Sequence, residues 1–225
     1  MEPRSQSSSA SGGAGFAGAA AVMQAVETET LILYHTDLRG QWPAAAARAL
    51  AKRLPYQRRL AVSANSAAAR ASLAGIALAL RALTRLLGRG VDAGELKFAA
   101  GAKPRLRGAR ADAQADFSIS HSDCWVACAA LAHGRVGLDL EMGRAARVRE
   151  WVLREALLKA RGEGLRALAG LHDLEVDGTQ LRSRGEQWHF ERPGQFSGAS
   201  ACIVSSRKPA RIEAHALPLS ALFAP

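Results

Sequence analysis

Two kinds of hydrophobic pattern recur along the chain. In the first, apolar residues alternate with polar or small ones, as at Val136, Leu138 and Leu140, and this alternation is typical of a β-strand with one buried face. In the second, apolar residues recur every three or four positions, as over residues 67–87, which is typical of an amphipathic helix. The chain is therefore expected to contain both strands and helices.

The two patterns follow one another without a strict strand–helix alternation, so the sequence predicts an α+β fold. Helices are predicted at residues 44–51 and 67–87 and around Glu155, where Gly162 and Gly164 end the helical pattern. Strands are predicted at residues 31–34, 96–98, 125–131, 136–140, 174–176, 188–190, 201–204 and 211–216.

The N-terminal segment and the cysteines bear on where the protein works. The first 28 residues are rich in serine, glycine and alanine and lack a pattern that could bury a core, so we expect a flexible tail. An export signal is not expected, because the run at residues 16–26 is dominated by alanine and is followed by Glu27 and Glu29. A transmembrane helix is not expected, because no apolar stretch approaches about 20 residues. Three cysteines without a C-x-x-C motif indicate a reducing compartment. A cytoplasmic protein is expected.

The positive charge is concentrated in one half of the chain. The net charge is +10, and residues 31–110 hold 15 Lys and Arg against 3 Asp and Glu. Such a basic half fits a phosphate-bearing ligand, and it also fits nucleic acid. No zinc-finger spacing or RNP motif is present, and only 5% of residues are aromatic, so base-stacking surfaces are scarce. A nucleic-acid-binding protein nevertheless remains an alternative.

Two acidic residues lie on one face of a predicted strand. In the run Gly137-Leu-Asp-Leu-Glu141, the side chains of Asp139 and Glu141 project to the same side. Carboxylate oxygens are ligands that Mg²⁺ prefers, together with substrate phosphates and water. An isolated D-x-E is more often a pair of surface acids at a strand end.

A second set of polar residues shares one stripe of the predicted helix around Glu155. At 3.6 residues per turn, Trp151, Glu155 and Lys159 stack above one another. The alternative is an exposed Glu–Lys pair, which is common on helices and stabilises them by about 0.2–0.5 kcal/mol.

A third set lies upstream, in Gly101-Ala-Lys-Pro104 and Phe117-Ser-Ile-Ser-His-Ser122. Pro104 favours an extended backbone at Lys103, and hydroxyl and imidazole groups such as those of Ser120 and His121 can bind phosphate oxygens. The alternatives are an ordinary basic loop and a structural histidine.

The order of these motifs resembles that of the 4′-phosphopantetheinyl transferases, in their Sfp-like branch. The motifs are Gly-x-Lys-Pro, Phe-Ser-Ile-Ser-His-Ser, Gly-Leu-Asp-Leu-Glu and Trp-x-x-x-Glu-Ala-x-x-Lys-x-x-Gly-x-Gly. The resemblance extends from about Thr30 to the C-terminus but is dense only over residues 101–165. It implies two similar α/β subdomains packed side by side, with the ligand between them. Residues 29–133 would bind coenzyme A phosphates, and residues 134–225 would carry Mg²⁺ and the catalytic groups.

The same resemblance implies an activity and a role for each matching residue. The enzyme would transfer 4′-phosphopantetheine from coenzyme A to a serine of an apo acyl or peptidyl carrier protein, using Mg²⁺ and acting as a monomer without nucleic acid or membrane. The metal ligands would be Asp139, Glu141 and Glu155; the catalytic residues Glu155 and Lys159; and the coenzyme A-binding residues Arg59, Arg70, Lys103, Pro104, Ser120 and His121. Trp151 would pack beneath the site.

The chain departs from the family between the strand and the helix of the metal site. Only 13 residues separate Glu141 from Glu155, whereas the family commonly has a longer insert there. For both carboxylates to meet one metal, we expect an extended connector through Gly143 and a helix that begins between residues 147 and 149. An inactive homologue therefore remains a further alternative.

Overall fold

The fold is α+β, with two main β-sheets that carry helices on their outer faces. The computed structural model describes residues 29–63, 66–107 and 114–223. The predicted tail at residues 1–28 lies outside the described residues.

Eleven strands occur in the described part of the chain. They are β1 (Thr30–Asp37), β2 (Leu96–Lys97), β3 (Arg105–Leu106), β4 (Asp116–Ser122), β5 (Trp125–Leu131), β6 (Val136–Met142), β7 (Glu175–Asp177), β8 (Gln180–Ser183), β9 (Glu186–Glu191), β10 (Ala199–Ser205) and β11 (Arg211–Ala216).

Within residues 29–63, 66–107 and 114–223, five α-helices and two short 3₁₀ helices accompany these strands. The α-helices are α1 (Ala44–Arg53), α2 (Tyr56–Ser63), α3 (Ala67–Leu87), α4 (Ala146–Arg161) and α5 (Leu219–Leu222), and the 3₁₀ helices are Ala93–Glu95 and Leu165–Gly170.

The two main sheets are built from largely separate parts of the chain. The first has the order β11-β1-β5-β4, in which β11 is parallel to β1 and the other pairs are antiparallel. The second has the order β6-β10-β9-β8-β7 and is antiparallel throughout. Because β11 returns to the first sheet, the region 134–225 that the sequence assigns to a second subdomain contributes a strand to the first layer.

Three hydrophobic clusters hold the layers together. One joins helices α1, α3 and α5 to the outer face of the first sheet, and another joins α4 to the outer face of the second sheet. The third lies between the sheets and includes Leu33 and Ala129 from the first and Leu138 and Ile203 from the second. The strand alternation explains this arrangement, since successive residues of β6 face the two different cores.

Helix α3 is the central element of the first layer. Its N-terminus is capped by the Ser66 side chain, which accepts a hydrogen bond from the Ala69 amide, and Gly88 ends it in a left-handed conformation. By length and composition α3 could cross a membrane, but 61% of its most apolar stretch is buried inside the protein. Helices in the cores of globular proteins have the same character.

Local patterns of apolar and polar residues predicted most of the helices and strands. The helix at 67–87 and the strands at 125–131 and 211–216 are confirmed at their predicted bounds. Helices α2 and α5 and strands β3 and β8 were not predicted, because half of the residues of α2 are polar and the other three elements are at most four residues long. Helix α4 begins at Ala146, one residue before the predicted range, and the connector is only Gly143 to Ala145, with Gly143 at φ +107°.

Candidate functional site

The candidate site forms where the edge strands of the two sheets, β4 and β6, run side by side. Every second residue of β4 is polar and faces β6, and three of these side chains accept hydrogen bonds from β6 backbone amides. The bonds run from Val136 N to Asp116 Oδ2 (2.8 Å), from Leu140 N to Ser120 Oγ (3.2 Å) and from Met142 N to Ser122 Oγ (3.2 Å). Side chains of β4 therefore provide hydrogen-bond acceptors for backbone amides at the edge of β6 that would otherwise be unpaired.

Four polar side chains meet beside this junction. We call Ser120, Asp139, Glu155 and Lys159 the carboxylate–lysine cluster. The Lys159 ammonium lies 2.7 Å from Asp139 Oδ1, 3.3 Å from Glu155 Oε1 and 3.2 Å from Ser120 Oγ. Because both carboxylate oxygens contact one nitrogen, they are at most about 6 Å apart. The short connector thus still brings Asp139 and Glu155 together.

Gly137 allows helix α4 to approach β6 closely enough for this meeting. A Cβ atom at position 137 would overlap the carbonyl oxygen of Ala156 and the amide nitrogen of Ala160. The glycine therefore sets the distance between the strand that carries Asp139 and the helix that carries Glu155 and Lys159. Sequence reasoning noted this glycine only as part of a motif.

Asp139 is the most buried charged group of the cluster. Its residue exposure is 3%, and Ser120 donates a hydrogen bond to its Oδ1 at 2.9 Å. Burial raises the pKa of this carboxyl, and the neighbouring Lys159 ammonium opposes the rise. Its second oxygen, Oδ2, is buried and has no hydrogen-bond partner in the protein. A buried carboxylate oxygen without a donor is unfavourable unless something else binds it.

Glu141, the third predicted metal ligand, lies further along the same strand face. Its Oε1 accepts a hydrogen bond from Ser122 Oγ at 2.8 Å and one from its neighbour's amide, Met142 N, at 3.1 Å. Among the described residues, Lys159 pairs with Asp139 and Glu155 but not with Glu141. Of the three predicted metal ligands, Asp139 and Glu155 therefore contact the same Lys159 ammonium, and Glu141 lies beside Asp139.

The cluster fits a divalent cation in its chemistry, although Lys159 stands between the two carboxylates. In the described part of the chain no group of three His, Cys, Asp or Glu side chains is arranged to hold a metal ion. The unpartnered Asp139 Oδ2 and the convergence of two carboxylates on a positive charge are the features that favour a hard cation. The metal ligand set stays a prediction.

His121 lies on the opposite face of β4 from the two serines and is exposed to solvent. Partial burial of the ring and the nearby Lys159 lower the pKa of His121, and Glu141 opposes this effect. The imidazole is therefore close to the cluster without belonging to its hydrogen bonds.

A cavity of 520 Å³ lies between helices α1, α2 and α3, and we call it the cationic cavity. Two of the residues predicted to bind coenzyme A, Arg59 and Arg70, line it. Arg48, Lys52 and Trp42 also line it, over an apolar floor that includes Val62 and Leu73, and none of its lining residues is acidic. The Arg70 guanidinium lies 5.7 Å from the centre of the Trp42 ring. Sequence reasoning missed Arg48 and Lys52, although their i,i+4 spacing on a helix was visible.

The cationic cavity and the carboxylate–lysine cluster lie towards the same end of the first sheet. Trp42 follows the C-terminal end of β1, whose last residue, Asp37, pairs with Trp125, and Trp125 also pairs with Ser122 at the end of β4. Leu140 and Met142 bond to the same end of β4.

Lys103 has a different position from the one predicted. Its ammonium pairs with Asp116 and donates a hydrogen bond to the Val136 carbonyl at 2.6 Å, and its side chain is only 8% exposed. Burial lowers the pKa of Lys103, and Asp116 opposes the shift. Lys103 therefore joins the loop between β2 and β3, which also contains Pro104, to both main sheets, and its ammonium does not face an open ligand site.

Ser120 and Trp151 also differ from expectation. The Ser120 hydroxyl donates to Asp139 and accepts from Lys159 and the Leu140 amide, so its bonding capacity is already used within the protein. It positions the cluster and is not free to bind phosphate. Trp151 is 38% exposed at the surface and does not pack beneath the site.

Compared with known proteins, the chain matches no protein-family model and no curated protein sequence. A function is therefore inferred from the chemistry of the site.

Proposed function

We propose that the chain is a Mg²⁺-dependent 4′-phosphopantetheinyl transferase of the Sfp-like type. It would move the phosphopantetheine group of coenzyme A to a serine of an apo acyl or peptidyl carrier protein. The observation that carries the proposal is that the carboxylates of Asp139 and Glu155 both contact the Lys159 ammonium. Glu141 lies beside Asp139 on the same face of β6. The order of the motifs along the chain is consistent with it.

The two-subdomain architecture of that family is part of the proposal. In its favour, each sheet has its own helical layer and its own outer core, and a third core joins the two sheets. Strand β4 from one layer and strand β6 from the other contribute to the same cluster.

Asp139, Glu141 and Glu155 are the residues that would hold Mg²⁺. When bound, Mg²⁺ supplies positive charge to the pyrophosphate of coenzyme A as negative charge builds on it during displacement. Lys159 has to leave the space between the two carboxylates for this to happen. It lies on a long flexible side chain with 25% exposure, so the ammonium can turn towards a substrate phosphate.

The chain's own groups account for the proton and the leaving group. Glu155 would accept the hydroxyl proton of the carrier serine while the serine oxygen attacks the β-phosphorus of coenzyme A. The bond between that phosphorus and the oxygen bridging to the α-phosphate breaks, and adenosine 3′,5′-bisphosphate leaves. Lys159 would neutralise the charge on this leaving phosphate.

The cationic cavity would hold the nucleotide end of coenzyme A. Arg59 and Arg70 remain the proposed phosphate ligands, Arg48 and Lys52 add two further cations, and Trp42 offers an aromatic face. His121 is kept as a contributor from the cluster side. Lys103 and Ser120 are assigned to positioning instead.

The test is to incubate the protein with Mg²⁺, coenzyme A and a panel of apo carrier proteins and to measure carrier masses. We expect at least one carrier to gain one phosphopantetheine group, and the gain to disappear with a chelator or when the acceptor serine is replaced by alanine. If no carrier of fatty acid, polyketide or peptide-synthetase type gains mass, the proposed function is wrong.

Nucleic-acid binding is the second candidate, because residues 31–110 carry a net charge of +12. Tight duplex binding with a steep dependence on salt, together with no reaction on coenzyme A, would favour it. An inactive homologue would instead bind coenzyme A without modifying any carrier.

A further inference from the structure

A cavity of 380 Å³ lies where strands β4 and β6 begin, and we call it the arginine cavity. Three arginines line it, and each comes from a different part of the chain. Arg105 belongs to β3, Arg135 lies between β5 and β6, and Arg207 lies between β10 and β11. His133 and Gln114 also line the cavity, and their side chains are hydrogen-bonded to each other at 2.8 Å. The fold therefore brings three arginines to one concave surface.

The arginine cavity is separate from the site described above. Asp116, which lines it, is the first residue of β4, and Ser120 of the carboxylate–lysine cluster lies further along the same strand. At about 3.3 Å per residue, the two positions are about 13 Å apart. The cationic cavity, with Arg59 and Arg70, lies towards the opposite end of the first sheet. The arginine cavity is therefore not part of the proposed coenzyme A site.

The acidic groups next to the arginine cavity already have partners. Among the described residues that line the cavity, only Asp116 is acidic. Its Oδ2 accepts a hydrogen bond from the Val136 amide at 2.8 Å and pairs with the buried ammonium of Lys103. Glu29 accepts a hydrogen bond from the backbone amide of His133 at 2.8 Å. These carboxylates therefore do little to neutralise the three arginines.

Arg161, at the end of helix α4, adds a buried guanidinium next to Arg135. Both arginines pair with Glu186, from Arg135 Nη2 to Oε1 at 2.6 Å and from Arg161 Nε to Oε2 at 3.3 Å. Both also lie over the Trp188 ring, 4.4 and 5.8 Å from its centre. The Arg161 side chain is only 3% exposed, and its Nη1 is buried without a hydrogen-bond partner in the described part of the chain. One carboxylate therefore serves two guanidinium groups and leaves a buried donor unsatisfied, which is unfavourable.

The balance of charge around the arginine cavity is positive. The three lining arginines, Arg161 and Lys103 carry five positive charges against three negative ones, a net charge of +2; the acids are Glu29, Asp116 and Glu186. Guanidinium groups bind phosphate through paired N–H donors, and several of them match an anion with several oxygens. Sites for small molecules measure about 300–1,000 Å³. The volume of 380 Å³ thus fits a small ligand.

We infer that the arginine cavity binds a small phosphate compound with two or more negative charges, at a second site away from the carboxylate–lysine cluster. Arg105, Arg135 and Arg207 would contact the phosphate oxygens. Glu186 holds Arg135 in place, and Arg161 adds positive charge beside it. The inference does not depend on the transferase proposal, because none of these residues belongs to the cluster or to the cationic cavity.

The test is the binding of inorganic pyrophosphate, measured by isothermal titration calorimetry. The variant Arg105→Ala/Arg207→Ala is compared with Arg166→Ala/Arg182→Ala, which removes two exposed arginines that do not line the cavity. We expect the first variant to bind pyrophosphate at least about tenfold more weakly, because two charge-assisted hydrogen-bond donors are lost, and the control to stay within about twofold of wild type. If the first variant binds pyrophosphate like wild type, the inference is wrong. Loss of affinity for a DNA duplex in that variant, with pyrophosphate binding unchanged, would assign the arginines to nucleic acid instead.

Crystals soaked with tungstate, a phosphate analogue with an anomalous X-ray signal, locate the anion directly. We expect a peak within about 4 Å of guanidinium nitrogens in the arginine cavity. A peak only in the cationic cavity would overturn the inference. Arg105 and Arg207 are exposed, so their replacement should change the free energy of unfolding without ligand by no more than about 0.5 kcal/mol. Weakened pyrophosphate binding by a variant of wild-type stability therefore supports the site.

Discussion

Asp139 combines burial, charge and an unsatisfied oxygen in one side chain. Its Oδ1 is held by Ser120 and Lys159, whereas its Oδ2 has no partner in the protein. Burial raises its pKa, and the Lys159 ammonium and the Ser120 hydrogen bond oppose this rise. A purely structural aspartate at this position would be expected to satisfy both oxygens. The unpartnered oxygen is the feature that favours the proposed cation site.

Replacing Asp139 with asparagine should separate function from folding. The amide is close in size and cannot supply a negative oxygen, so we expect transfer to fall by at least about 100-fold, in line with the loss of important groups at metal sites. The free energy of unfolding should change by less than about 2 kcal/mol, because the change removes one buried charge and its size is retained. Carrier modification and urea unfolding would be measured together, and wild-type turnover would exclude Asp139 from the chemistry.

His35 makes a prediction about pH. The ring is 7% exposed, its Nδ1 has no partner, and it packs against Trp125 and Phe196 with ring centres 6.0 and 5.2 Å away. Burial lowers the pKa of His35 below its ordinary value of 6.5. Protonation therefore favours the unfolded chain, and the folded state binds fewer protons than the unfolded state in this range.

The contribution of His35 to stability should accordingly be complete above pH 6.5 and be lost as the pH falls through the folded pKa. In His35→Phe the loss of stability on acidification should be smaller than in wild type, by up to about 1.4 kcal/mol per pH unit. Urea unfolding of both proteins from pH 7.5 to 5 measures the difference. Parallel curves would mean that His35 does not titrate on unfolding.

At the scale of elements, the contact between β6 and α4 decides the site's geometry. The strand places Asp139 and Glu141 on one face, the helix places Glu155 and Lys159 one turn apart, and Gly137 sets the distance between the two elements. The alternation and the helical stripe were readable in the sequence, because both are local. The close approach at Gly137 was not, because it depends on which elements pack together.

Gly137→Ala should therefore damage both stability and activity. The added Cβ overlaps backbone atoms of α4, which cannot be relieved by turning a side chain, so we expect a loss of about 1–3 kcal/mol or more in the free energy of unfolding. Transfer should fall further than stability explains, since Glu155 and Lys159 move away from Asp139. Gly164→Ala is the matched control, because a Cβ there meets nothing within 4 Å. Equal behaviour of the two variants would contradict this account of the packing.

A substitution of Lys103 tests whether the loop between β2 and β3 binds ligand or stabilises the fold. Its ammonium is buried against Asp116 and the Val136 carbonyl, so Lys103→Met should leave Asp116 without its cation and destabilise the protein by about 3 kcal/mol. KM for coenzyme A should stay within about twofold of wild type. A stable variant with a strongly raised KM for coenzyme A would restore the phosphate-binding role that the sequence predicts.

At the scale of the whole molecule, the sequence predicted the α+β class and most elements, but not how they come together. The pairing of Lys103 with Asp116 and the return of β11 to the first sheet join residues far apart in the chain, which local periodicity does not encode. The cationic cavity likewise draws Arg48, Lys52, Arg59 and Arg70 from three helices. The motif order was the one long-range signal in the sequence, and it led to the residues of the carboxylate–lysine cluster.

The charge distribution follows the same division. The first layer carries the cationic cavity, and the cluster draws Ser120 from the first layer and Asp139, Glu155 and Lys159 from the second.

The most direct measurement is the position of a divalent ion in crystals soaked with Mn²⁺, an Mg²⁺ substitute with an anomalous X-ray signal, and coenzyme A. We expect an anomalous peak within about 2.0–2.3 Å of oxygens from Asp139, Glu141 and Glu155, with the Lys159 ammonium moved from between the carboxylates towards a phosphate. No peak at these side chains, with Lys159 still bridging Asp139 and Glu155, would contradict it.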